Sequence, residues 1–306
     1  MTTLFRTLLA LLFIIGGMYS CADHRLADIT PGSSQTRLRV KSLTLELPDN
    51  KAKVSAFTYD AQGKLNQIKT YQTPDSTVSE LEYSSYTFDS QNRLTQLQHT
   101  AVLYPRGSQP NRFEQYQYFY NAAGQISGIN YLNGFSVSMS YNAANQLVGS
   151  SSYFAISGLT LRRSESYTFT SANLTTWASE SNIPSRGGVD PIVTSTTTYT
   201  HDNNVNPFYG VFVIPSPYPN GFVNLQFGGG SPNTYYGGID NVITLSKNNV
   251  LTLNTTSTLT SLGGSSTSTT STSYEYEYNA AKLPITRTTT TGGSVTERLH
   301  YEYESY

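Results

Sequence analysis

A turn signature written seven times constrains this chain more than any other feature. Numbering from its aromatic entry residue as position zero, the copies begin at Tyr59, Phe88, Tyr120, Tyr141, Phe169, Tyr199 and Tyr278. Position +1 is Asp60, Asp89, Asn121, Asn142, Thr170, Thr200 or Asn279, mostly short side chains that bond back to the backbone two residues on and start a turn. Position +4 is Gly63, Asn92, Gly124, Asn145, Asn173, Asn203 or Lys282. All but the last are the residue types that enter the left-handed region at least cost. Apolar character returns at +6 in Leu65, Leu94, Ile126, Leu147 and Val205, while Leu174 and Leu283 come one residue early. A type I turn closed by a left-handed residue joins two antiparallel strands, so each copy predicts a hairpin.

Position −2 extends the pattern into the strand as Phe57, Tyr86, Tyr118, Met139, Tyr167, Thr197 and Tyr276. Residues two apart in a strand share a face. Phe57, Tyr59, Tyr86, Phe88, Tyr118, Tyr120, Tyr141, Tyr167, Phe169, Tyr199, Tyr276 and Tyr278 are therefore expected to form an aromatic ladder on one face of a sheet. Packing in a core is its first expected role. An exposed platform for a glycan or peptide is the alternative.

The N-terminus carries a different signal. Residues 1–20 read as a signal peptide, with Arg6, an apolar run over 8–15 and a small-residue stretch ending in Ser20. The run is too short for a permanent membrane span. Cys21 follows, the only cysteine of the chain. A small residue directly before a lone cysteine resembles a bacterial lipobox, with Met18 an unusual occupant of its leading position. That resemblance implies cleavage before Cys21 and lipid attachment there, so that acyl chains hold the mature protein on a membrane it does not cross. Secretion with a chance cysteine is the alternative. Residues 21–36 read as a flexible tether and 37–306 as a single β domain.

Tyr59-Asp60-Ala61-Gln62-Gly63-Lys64-Leu65 and Phe88-Asp89-Ser90-Gln91-Asn92-Arg93-Leu94 resemble the tyrosine-aspartate (YD) repeat of Rhs-type proteins, Tyr-Asp-x-x-Gly-Arg-Leu. Later copies depart from it, with Asn121 and Asn142 for Asp and Gln125 and Gln146 for the basic residue. With the N-terminal signal, the chain resembles the YD-repeat lipoproteins of Gram-negative bacteria that carry a porin-like domain of unknown function. Asn203-Asn204-Val205-Asn206-Pro207-Phe208-Tyr209 is similar to a mid-chain segment of that group, and Lys282-Leu283-Pro284-Ile285-Thr286 to its C-terminal repeat. The resemblance implies an envelope protein and brings no catalytic residues with it.

The remaining text agrees on an all-β chain. An apolar parity shift between Val40 and Leu43 suggests a bulge. Asn133-Gly134 and Gly292-Gly293 are two-residue hairpin signals, and Gly263-Gly264 is either another or part of a mobile Ser/Thr loop. Longer links cover 72–79 and 104–112. The expected fold is a large antiparallel up-and-down meander of repeated hairpins, a strongly curved sheet or closed barrel, soluble. Ser/Thr tracts such as 267–273 leave no lipid-facing apolar band of the kind a transmembrane barrel needs. Prolines, a glycine run and many aromatics set 207–238 apart as an insertion that plugs or caps one end of the sheet, with a ligand loop as the sharper option.

Composition narrows function. Charged residues are 13% of the chain with a net charge of −1, which gives no footprint for nucleic acid. The 24 tyrosines and 13 phenylalanines argue against disorder. His24, His99, His201 and His300 lack the spacing of a metal pair, and His201-Asp202 sits on a predicted turn. Asp202-Asn203-Asn204 offers too few oxygens for calcium. Neither a Gly-x-Ser-x-Gly elbow nor a phosphate-cradling loop is present. Trp177, the only tryptophan, reads as core more readily than as a sugar platform. No cofactor or metal is expected. These features predict a non-enzymatic outer-membrane lipoprotein on the periplasmic or cell-surface face, a β-scaffold for envelope structure or for an extracellular glycan or protein ligand. A hydrolase or glycan-active enzyme using 207–238 is the alternative. An encapsulating YD-type shell is a third, against which the run of repeats to Tyr306 weighs.

Overall fold

Six of the seven hairpin signatures deliver their two flanking strands to neighbouring places in one sheet. The computed structural model describes residues 32–33, 37–74, 81–102, 112–131, 136–156, 159–185, 188–210, 235–236, 239–240 and 242–306. Cys21, the leader 1–20, most of the tether 21–36, the Asn133-Gly134 turn, much of the links 72–79 and 104–112, and most of 207–238 lie outside the described residues.

The strands are β1 (Leu38–Leu47), β2 (Lys51–Tyr59), β3 (Leu65–Thr73), β4 (Leu81–Phe88), β5 (Leu94–Val102), β6 (Arg112–Tyr120), β7 (Ile126–Tyr131) and β8 (Ser136–Tyr141). They continue as β9 (Leu147–Ile156), β10 (Leu159–Thr170), β11 (Asn173–Asn182), β12 (Ile192–Val205), β13 (Asn248–Ser261), β14 (Gly264–Tyr278), β15 (Pro284–Thr291) and β16 (Ser294–Ser305). Every strand pairs antiparallel with its sequence neighbours, and β16 returns to β1 through pairs such as Tyr301 with Leu43. The meander is thus a closed antiparallel barrel of 16 strands. Closure leaves the barrel sheet itself without an edge strand. Gly32–Ser33 adds a two-residue bridge against the start of β1.

Five of the seven signatures make the same turn. In each, the +1 side-chain oxygen accepts two backbone N–H groups: Asp60 those of Gln62 and Lys64 at 2.9 and 2.8 Å, Asp89 those of Gln91 and Arg93 at 2.8 and 2.9 Å. Asn121, Asn142 and Asn279 repeat the arrangement. The +4 residue is left-handed each time, at φ 81° in Gly63, 63° in Asn92, 76° in Gly124, 62° in Asn145 and 61° in Lys282. The register shifts by one residue beside each turn, the bulge that accompanies a left-handed closing residue.

Two turn expectations need correction. Asn173 is the first residue of β11, and the left-handed residue there is Ser171 at φ 54°, in a two-residue turn that pairs Thr170 with Asn173. Asn203 lies inside β12, which runs on to Val205. Both copies carry Thr at +1, which makes none of the paired side-chain bonds of Asp or Asn, so the turn shortens or the strand continues. At the opposite end, Gly292 and Gly293 are both left-handed between Thr291 and Ser294, a two-residue hairpin loop. The β13–β14 hairpin turns on Leu262 and Gly263, one residue earlier than the glycine pair suggested. The parity shift in β1 is real: Glu302 pairs with Ser42 and Tyr303 with Val40, leaving Lys41 as the extra residue.

Parity fixes what each face carries. Phe57, Tyr86, Tyr118, Tyr167 and Tyr199 are buried, as are Leu65, Leu94, Ile126, Leu147 and Leu174 from the residues that follow the turns. These inward side chains form two clusters, one across β1–β8 and β16 and one across β9–β14, with Met139 packed against both. Outward positions on three strands are polar: Ser164, Ser166, Thr168 and Thr170 on β10, Thr194, Thr196, Thr198 and Thr200 on β12, and Thr267, Thr269 and Ser271 on β14 are all exposed. No apolar band runs along the outward face of these three strands.

Candidate functional site in the barrel interior

Along several strands the inward face changes character with distance from the repeat turns. Nearest the turns lie the aromatic and leucine side chains. Two and four residues further along, the same parity brings in hydroxyls and charges. Ser55 meets Thr70 at 2.9 Å and Ser84 meets His99 at 2.8 Å. Thr197 meets Thr255 at 2.7 Å, Ser195 meets Ser257 at 2.8 Å, and Thr272 meets Thr291 at 3.0 Å. Cross-strand partners satisfy one another, which is the condition for burying polar groups without a large penalty.

Among the described residues, two ion pairs sit in this polar layer. On β10, Arg163 donates to Glu165 at 2.8 Å and its guanidinium lies 5.3 Å from the Trp177 ring centroid. Glu165 also accepts the Tyr167 hydroxyl at 2.7 Å and the Ser150 hydroxyl. Burial, followed by the nearby Glu165 charge, pushes the Tyr167 hydroxyl well above the usual phenol range, so it stays a donor. On β15 and β16, Arg287 is paired with Glu297, and its guanidinium stands 5.3 Å from the Tyr274 ring.

His99 gives this layer a pH dependence. Burial, helped by the Lys53 charge, lowers its pKa from 6.5 to about 4, so the imidazole is neutral near pH 7. An unfolded chain takes up this proton below about pH 6.5, the folded chain only near pH 4. The stability that His99 contributes is full above that window and is lost as pH falls through it, by up to about 3 kcal/mol. Urea unfolding at about pH 7 and about pH 4.5 checks this: His99→Gln is expected to lack that share of the acid sensitivity. Equal pH dependence in both proteins would remove His99 as its source.

The two described ends of the insertion are clamped together at the turn end. The Asp202 carboxylate takes the Tyr278 hydroxyl and the backbone N–H groups of Asn204 and Asn249, the latter two at 2.9 and 3.1 Å. The Asn206 amide donates to the carbonyls of Ile243 and Ser246 at 3.1 and 3.0 Å, and its oxygen accepts Phe208 N–H at 3.0 Å. Phe208 is thereby planted in the core, its ring 6.2 Å from Phe57 and 6.5 Å from Tyr301. His201 meets Ser246 at 3.0 Å, but the neighbouring carboxylate is committed to Tyr278 and the two asparagines, and Ser246 already accepts Leu174 N–H. Those contacts do not form a hydrolytic relay.

The residues singled out in the sequence fall in two places. Asp60, Gly63, Asp89, Asn92, Asn121, Gly124, Asn142, Asn145 and Asn279 build the turns at one rim. Their +5 neighbours reach the next copy: Lys64 lies 5.3 Å from the Phe88 ring, Arg93 4.8 Å from Tyr120, and Gln125 donates to Asn145 at 2.9 Å. The ladder aromatics line the interior, with Tyr59, Phe88, Tyr120, Tyr141, Phe169 and Tyr276 packed against the two clusters and Tyr278 held by Asp202. Arg163, Glu165, Arg287 and Glu297 were not singled out. The signal for the first two was parity, since they precede Phe169 by six and four residues and so share its face.

Comparison with known proteins adds the following. No family model matches the chain, and no curated protein matches it. Among solved structures it is similar to a porin-like protein from Bacteroides uniformis ATCC 8492, at 12% identity and a TM-score of 0.47 over 90% of this chain and 100% of that one. It is also similar to a porin-like protein from Bacteroides vulgatus ATCC 8482, at 13% identity and a TM-score of 0.39 over 87% of this chain and 99% of that one.

Proposed function

We propose that this protein is a non-enzymatic, lipid-anchored β-barrel scaffold of the bacterial envelope, held at the outer membrane through Cys21 and presenting its barrel on the periplasmic or cell-surface face. The observation that carries this reading is the barrel's outer wall. Rows of exposed Ser and Thr on β10, β12 and β14 suit water on that face, so membrane attachment falls to the N-terminal cysteine. The YD-like turns are the device that repeats the hairpin, and the polar interior is where a glycan or protein ligand would be held.

Fractionation of cells expressing the wild type and Cys21→Ala tests the reading. The wild type is expected in the membrane pellet, resistant to high salt and released by detergent. The variant is expected in the soluble fraction. A variant that stays in the pellet through alkaline carbonate would mean that the barrel itself is embedded, and the proposal would fail.

A further inference from the structure

We propose that the wall around Trp177 is a binding site for a neutral saccharide. This deepens the ligand-holding part of the scaffold reading and rests on it. Trp177 faces inward on β11 and is 6% exposed, and its buried indole N–H has no hydrogen-bond partner among the described residues. That group can only donate, and a buried indole N–H ordinarily finds an acceptor. Elsewhere in the same row the wall is self-satisfied, as in the Thr197–Thr255 pair at 2.7 Å. An acceptor is wanted at Trp177, and the described side chains of the barrel do not provide it.

The surroundings define what that acceptor belongs to. Arg163 and Glu165 are bound to each other at 2.8 Å and cancel in charge. A phosphate or carboxylate would therefore meet no uncompensated cation, and an ammonium no uncompensated anion. The remaining groups are hydroxyls. Ser150 and Tyr167 are gathered on the Glu165 carboxylate, and Ser179 and Ser181 share the inward parity of Trp177 further along β11, opposite Glu165 and Arg163. Ser179 and Ser181 are only half-buried, so solvent reaches this part of the wall. An uncharged ligand rich in hydroxyls accepts from the indole, exchanges hydrogen bonds with the serines and requires no charge compensation.

Trp177 is the chain's only tryptophan, so its emission reports on this wall alone. The full-length protein, purified in a zwitterionic detergent without sugar groups, is titrated with neutral oligosaccharides cut from starch, xylan and mannan. At least one is expected to shift the emission saturably. Trp177→Phe keeps the ring and removes the N–H, and calorimetry is expected to show binding weakened roughly tenfold while the melting transition persists. Glu165→Gln leaves Arg163 unopposed and is expected to admit an oligogalacturonate that the wild type rejects. The proposal is overturned by no response to any of the three neutral series, by undiminished affinity in Trp177→Phe, or by oligogalacturonate binding to the wild type. None of these outcomes touches the anchoring and scaffold reading, which the Cys21→Ala fractionation decides separately.

Discussion

Phe208→Ala is expected to destabilise the barrel by about 3–5 kcal/mol, the range for deleting a large buried aromatic side chain. Phe208 is 1% exposed and stands between Phe57 on β2 and Tyr301 on β16, the strands on either side of β1. Its backbone cannot drift to fill a cavity, because Asn206 holds its N–H and is itself bonded to two carbonyls across the insertion. Partial relaxation is what makes some truncations cheap, and here the clamp opposes it. In urea, the midpoint should fall with the slope unchanged, provided that unfolding is two-state. Phe119→Ala serves as the control, since its outward ring is 47% exposed and its loss should change stability by no more than about 0.5 kcal/mol. Equal effects from the two substitutions would show that Phe208 is not seated in the core.

The turns were legible because their chemistry is local. A +1 carboxylate or amide bonds within its own loop, and a left-handed +4 residue closes it, so Asp60 with Gly63 or Asn142 with Asn145 needs no tertiary information. Where +1 is Thr170 or Thr200 that chemistry is missing, and the turns assigned to Asn173 and Asn203 failed. The early return of Leu174 was the visible warning. Closure was not legible in the same way. Tyr301 meets Leu43 across almost the whole chain, and nothing near either residue distinguishes an open curved sheet from one joined to itself. The polar inner layer lay between these cases. Parity places Ser55, Ser84, Arg163 and Glu165 on the ladder's face, but only the closed barrel makes that face an interior all the way along. Arg287 was hidden by the threonines on either side, because its partner Glu297 belongs to the next strand and the register that joins them depends on the Gly292-Gly293 turn.

Glu297→Gln should cost about 3 kcal/mol or more, the usual consequence of removing one partner from a buried ion pair. Arg287 is 3% exposed and its guanidinium cannot give up its proton under ordinary conditions, so the charge stays in the interior when the carboxylate is gone. The tyrosines nearby do not replace it. Burial raises the Tyr301 pKa to about 12 and holds Tyr276 well above its ordinary value, so both are neutral near pH 7. The Tyr274 ring, 5.3 Å from the guanidinium, adds a cation–π contribution of about 1–2 kcal/mol that does not substitute for a full negative charge. The exposed-side pair of Arg39 with Glu304 offers the contrast. Glu304 has 36% of its side chain in solvent, and Glu304→Gln is expected to cost no more than about 1 kcal/mol. Replacing both members of the buried pair, as Arg287→Met with Glu297→Leu, should recover most of the loss, because the penalty comes from the stranded charge. A double variant no more stable than Glu297→Gln alone would place the cost in packing and hydrogen bonding, and would sink the electrostatic account of this pair.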